Sequence, residues 1–121
     1  MCHCHKRKWI GEYRQRAVEG GTARQRLTDH LMNYTVTLFA VHRVDTWRAM
    51  YTSVPSFPHN DPCQELLPCC LSVIFGKLAK LDCLHLIRQG HPQRVLHPDL
   101  FDWLTTHYWA NTFRDFTDRL A

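Results

Sequence analysis

The chain has 121 residues, with 15 Lys+Arg against 11 Asp+Glu, nine His, six Cys and four Trp. That length fits one domain and excludes a multidomain enzyme or a long repeat array, while 45% hydrophobic and 12% aromatic content exclude full disorder. No apolar run is long enough to span a bilayer, and none follows the basic start as a secretory leader requires. A non-membrane, intracellular chain, cytoplasmic or nuclear with reduced thiols, is therefore expected.

The positive excess sits at one end. Lys6, Arg7, Lys8, Arg14, Arg16, Arg24 and Arg26 face only Glu12, Glu19 and Asp29 over residues 1–30, which accounts for the whole net charge of +4. This divides the chain into a basic arm, residues 1–21, and a single compact domain, residues 22–121. Lys6, Arg7, Lys8, Arg14 and Arg16 are candidate nucleic-acid contacts, because clustered cations bind phosphates by releasing counterions. A solvated tail accounts for the same charges. Within the arm, Cys2, His3, Cys4 and His5 alternate two zinc-ligand types. Alternate residues can supply two ligands of a tetrahedral site, completed by His59, Cys63, Cys69, Cys70, Cys83 or His85. Small buried thiols account better for Cys69, Cys70 and Cys83.

Gly20-Gly21 interrupt the chain, and Thr22-Ala23-Arg24-Gln25 has capping-box spacing. A helix from Ala23 to Met32 follows, with Leu27 and Leu31 on one face. Tyr34–Val41 is rich in β-branched and aromatic residues and predicts a strand. Thr46–Val54 predicts its hairpin partner, with the turn at Arg43-Val44-Asp45; a helix through residues 23–41 is the competing reading. Pro55, Pro58 and Pro62 mark a loop. Leu66, Leu67, Leu71, Ile74, Phe75, Leu78 and Leu81 recur at helical spacing, with Pro68 tolerated near the start, and Asp82–Gln89 adds a short helical segment. From Pro98-Asp99 onward, Leu100, Phe101, Leu104, Tyr108, Trp109, Phe113, Phe116 and Leu120 predict one long amphipathic helix. Trp103 lies off that stripe and is expected to be exposed. The fold class is mostly α with a candidate small β-hairpin (α+β).

No G-x-S-x-G, H-E-x-x-H, Walker loop or G-x-G-x-x-G occurs, so a non-enzymatic protein is expected. The strongest pattern is instead a docking one. Leu66, Cys70 and Ile74 stand four apart and form a large–small–branched ridge on one helix face. This L-x-x-x-C-x-x-x-I pattern resembles the BC box of SOCS-box proteins, which bind elongin C and recruit a cullin ubiquitin ligase. The resemblance implies a second, cullin-facing element, which would be Leu96, Pro98 and Phe101; Glu65, Leu71 and the single proline of that element depart from the usual pattern. Ile74-Phe75, Leu78, Asp82, Leu84 and Leu86 are similar to the latter half of an F-box, which binds Skp1. Either likeness implies an adaptor of target proteins or nucleic acid, and the basic, Cys-, His- and Trp-rich composition is similar in style to viral accessory proteins such as the lentiviral infectivity factor. Leu66, Cys70 and Ile74, with Leu78, also fit a helix face turned toward the chain's own core. The alternative function is a basic, zinc-stabilised nucleic-acid-binding regulator.

Overall fold

Thr22 opens the first helix through a reciprocal pair of hydrogen bonds. In the computed structural model, which describes residues 15–52, 62–83 and 100–121, Thr22 Oγ1 accepts the Gln25 N–H at 3.2 Å and Gln25 Oε1 accepts the Thr22 N–H at 3.0 Å. Two orphan donors of the first turn are thereby satisfied. The helix, α1, runs Ala23–Met32 and closes where Asn33 N–H donates to Asp29 O. Its buried residues are not the two leucines. Leu27 is partly buried and Leu31 is exposed, whereas Arg26 and His30 are buried.

The expected hairpin is not present among the described residues. Residues 34–43 are irregular, with a turn in which Ala40 N–H donates to Thr37 O, and Val44–Thr52 is a helix, α2. β-propensity mostly reflects side-chain packing on a half-buried surface, and no neighbouring strand supplies that surface among the described residues. Met50 is instead buried as one residue of a helical face, and Asp45 stands in the favourable first turn.

Helix α3, Cys63–Phe75, is the axis on which α1, α2 and the last helix, Trp109–Leu120, pack. Cys63, Leu67, Pro68, Cys69, Cys70, Leu71, Ser72 and Val73 are all buried, so the helix is enclosed on most of its circumference. It stops six residues short of the expected Leu81. Arg26 explains the stop, because its guanidinium takes the last carbonyls: Nε donates to Val73 O at 2.7 Å and Nη2 to Ile74 O at 2.9 Å. Nη1 reaches back to Gly20 O at 3.0 Å. A cation at a helix C-terminus is favoured by the dipole, and here it replaces the missing intrahelical donors. Past Gly76 the chain turns extended, and Leu78 exchanges both backbone hydrogen bonds with Val18 in an isolated antiparallel bridge. Val18 is buried and Arg16 is ion-paired, so residues 16–18, assigned to the arm by charge, belong to the packed body.

The long C-terminal helix is two helices, α4 (Leu100–Leu104) and α5 (Trp109–Leu120). Thr105 and Thr106 part them: their hydroxyls donate to the carbonyls of Asp102 and Trp103 at 3.0 and 2.7 Å. Such local side-chain bonds compete with helix continuation. The break re-aims α4 and reverses two expectations. Trp103 is buried at 9% exposure beside Trp109, and Phe101 stands 72% exposed. The apolar core joins Met50, Cys63, Leu67, Cys70, Leu71, Trp103 and Phe116. The segment expected as a helix over 82–89 lies almost wholly outside the described residues.

Candidate docking surface

The ridge singled out by its spacing lies on α3, and its centre is closed. Cys70 has no exposed surface and is part of the core cluster. Burial, then the neighbouring Cys69, pushes its thiol up to about 12, so at neutral pH the sulfur is a small apolar group and not a nucleophile. Leu66 and Ile74 are partly buried and pack against the same cluster. The open side of Ile74 faces a groove of about 280 Å³ walled by Ala23, Arg24 and Leu27 of α1 and by Leu120 and Ala121. The three residues therefore share one helix face, but the chain's own helices occupy the space a partner would need. In this packing the ridge is a core element. Of the second element, Phe101 is open, while Leu96 and Pro98 lie outside the described residues.

The basic set divides similarly. Lys6, Arg7, Lys8 and Arg14 lie outside the described residues. Arg16 is held: Nη2 donates to both carboxylate oxygens of Asp29, at 2.7 and 2.9 Å, and Nη1 donates to Asp29 O at 3.2 Å. That fork fixes the 16–18 segment on α1 and withdraws Arg16 from phosphate binding. Cys2, His3, Cys4 and His5 also lie outside the described residues. Among the described residues no group of three or more His, Cys, Asp or Glu converges as a metal site. Cys63, Cys69 and Cys70 are buried, and Cys83 is exposed.

The surface that is open lies on α2. Val44, Trp47 and Tyr51, spaced three and four apart, are 62%, 48% and 38% exposed, and the two rings rest against each other with centroids 4.6 Å apart. Phe39 and Val41, just before the helix, are exposed as well. Arg43, Asp45 and Arg48 flank the stripe, and Arg48 Nη1 lies 3.9 Å from Asp45 Oδ1. The sequence carried the signal, since Val44, Trp47 and Tyr51 have helical spacing, but the β-branched neighbours drew the segment into a strand assignment.

The polar residues between α1 and α3 were not foreseen. Tyr34 Oη donates to Glu65 Oε1 at 3.2 Å, and burial, reinforced by Cys69 and Glu65, holds its hydroxyl in the neutral form. Ser72 Oγ donates to Cys69 O at 2.7 Å, and Thr37 Oγ1 lies 2.9 Å from Ser72 Oγ. His42 Nε2 donates to Thr37 O at 2.9 Å. His30 is fully buried beside Tyr34, and burial, assisted by Arg16 and opposed by Asp29, lowers its imidazole below the ordinary value. These groups tie the chain between α1 and α2 to the side of α3 opposite the apolar core. No helix among the described residues is long and apolar enough to cross a membrane. Comparison of the chain with protein-family models, with curated proteins and with solved structures gives no match.

Proposed function

We propose that the chain is a non-enzymatic protein-binding adaptor whose first contact with a partner is the α2 face. The observation that carries this reading is the alignment of Val44, Trp47 and Tyr51 on one open helix side, with the Trp47 and Tyr51 rings already in contact. Aromatic side chains ordered at a surface lose little further freedom on binding and supply most of the apolar area at interface anchors. A cullin-ligase role through elongin C or a Skp1-like protein is the partner class that the box resemblance implies. It requires a form in which α3 turns Leu66, Cys70 and Ile74 outward, so the affinity is reduced by the fraction of molecules in that form. Phe101, open on α4, is available to the cullin side without rearrangement.

The test places a photo-crosslinking residue at position 47 of the full chain in cells, with position 114 as an exposed control on α5. Crosslinking of elongin C, Skp1 or one discrete protein at position 47 and not at 114, abolished by Tyr51→Ala, is the expected result. Equal labelling at both positions, or recovery of nucleic acid alone with steep loss on raising salt, would replace the adaptor reading with the nucleic-acid one.

A further inference from the structure

His30 is a fully buried imidazole near the C-terminal end of α1, and neither Nδ1 nor Nε2 has a hydrogen-bond partner among the described residues. A neutral imidazole carries one N–H and one lone pair. Both are removed from water here, an arrangement that folded proteins rarely keep without a use. Arg16 approaches from the segment before α1, and Asp29 precedes His30 on the helix itself. Tyr34 meets the ring edge-on, with centroids 5.2 Å apart, and beyond Tyr34 stand Glu65 and Cys69 of α3.

Helix α1 is fastened to α3 at two ends of unlike chemistry. The Arg26 contacts to Val73 and Ile74 and the Tyr34 contact to Glu65 place the two helices antiparallel, with Arg26 at the far end of α3 and Tyr34 at its start. The Arg26 end is held by guanidinium-to-carbonyl hydrogen bonds, whereas the other end carries the buried imidazole of His30. We propose that His30 is an acid-sensitive latch: its protonation frees the C-terminal half of α1 and Tyr34 from α3, with Arg26 as the hinge, and uncovers the α3 side formed by Cys69 and Ser72.

The reason is local electrostatics. An imidazolium at this position would place a second cation beside Arg16, in a site shielded from bulk solvent and with no acceptor for either N–H among the described residues. Asp29 is the nearby acid, but both of its carboxylate oxygens already accept from Arg16. Burial first and Arg16 second lower the proton affinity of the closed form below the ordinary pKa of 6.5, with Asp29 opposing. The open form, with His30 in water, keeps that ordinary value and binds protons more readily. The closed form is thus fully favoured above about pH 6.5. Below it the open fraction rises by up to tenfold per pH unit, until the pH passes the lowered value of the closed form.

Hydrogen exchange of the full chain at about pH 7.5 and about pH 5.5, corrected for the intrinsic rate, tests the latch with wild type and His30→Phe. The expected result is a loss of protection over residues 27–34 in acid, of up to about tenfold. The Arg26 end and α5 should stay protected, and His30→Phe should show no acid response. An equal acid response in His30→Phe, or uniform loss along the whole chain, would overturn the proposal. Should the variant fail to fold, an NMR titration of His30 in the wild type decides. A pKa below 6.5 with concerted change at Tyr34 supports the latch, and a pKa at or above 6.5 with α1 still protected rejects it.

Discussion

Helices α1 and α3 run antiparallel against each other, yet the faces they contribute differ in kind. α1 buries Arg26 and His30 and leaves Leu31 and Met32 in water. α3 buries Cys63 and an unbroken stretch from Leu67 to Val73, apolar except for Ser72, which bonds to Cys69 O. Apolar packing is non-directional and shared over many contacts, so α3 has no single residue on which its position depends. α1 adds to the packing of Leu27 directional bonds from a few side chains, Arg26 foremost, so its position depends on each of them. The helix that looks like a docking element is therefore the most enclosed, and the one that looks solvated is the one that seals it.

Removing Arg26 separates the two cases most sharply. Arg26→Met leaves the Val73, Ile74 and Gly20 carbonyls without their donor while keeping the apolar stem, and is expected to lower stability by about 3 kcal/mol or more in urea denaturation. Arg26→Lys should recover only a small part, because an ammonium cannot fork between two carbonyls and a third. A loss below about 1 kcal/mol would show that α1 is held by area alone, like α3. On α3 itself, Cys70→Ser introduces a hydroxyl into the apolar cluster and is expected to lower stability by about 2 kcal/mol; a neutral result would mean that Cys70 is open to water. Trp47→Ala on α2 should change stability by less than about 1 kcal/mol, since half of the ring is already in solvent and only the Tyr51 contact is lost. A larger loss would place Trp47 in the fold and not on a binding face.

The parts that could be read from the sequence were those decided by local chemistry. Thr22 and Gln25 cap α1 because the capping box needs only two side chains and the intervening turn. The spacing of Leu67, Leu71 and Ile74 places α3 for an equally local reason. Tertiary context decided the rest. Tyr34–Val41 has strand composition, but nothing in its residues states whether a strand lies beside it, and none does among the described residues. Thr105 and Thr106 turn one stripe into two helices, which exchanged the environments of Phe101 and Trp103. Arg26 enters the sequence only as part of the basic excess and His30 carries no local signal of burial, because charged and polar residues are usually exposed. A faint signal existed in Gly20-Gly21: a Cβ at Gly20 would lie 3.1 Å from Gln25 Cβ and 3.3 Å from Arg26 Cγ, so the glycine marks the close approach of backbone to that guanidinium. The ridge itself was legible as a face; which side of the molecule owns that face depends on α1, α2 and α5 together.

Whether the α3 ridge is closed in the free protein is measured most directly by thiol reactivity. Site-resolved maleimide labelling of the native full chain at about pH 7.5, read by mass spectrometry, compares Cys70 with the exposed Cys83, whose unhindered thiolate sets the reference rate. The expected result is rapid modification at Cys83 and protection of Cys70 by at least about a hundredfold, lost in denaturant, because labelling must wait for opening. Modification of Cys70 at the rate of Cys83 would contradict the enclosed α3 and return the ridge to the surface as a ready docking element.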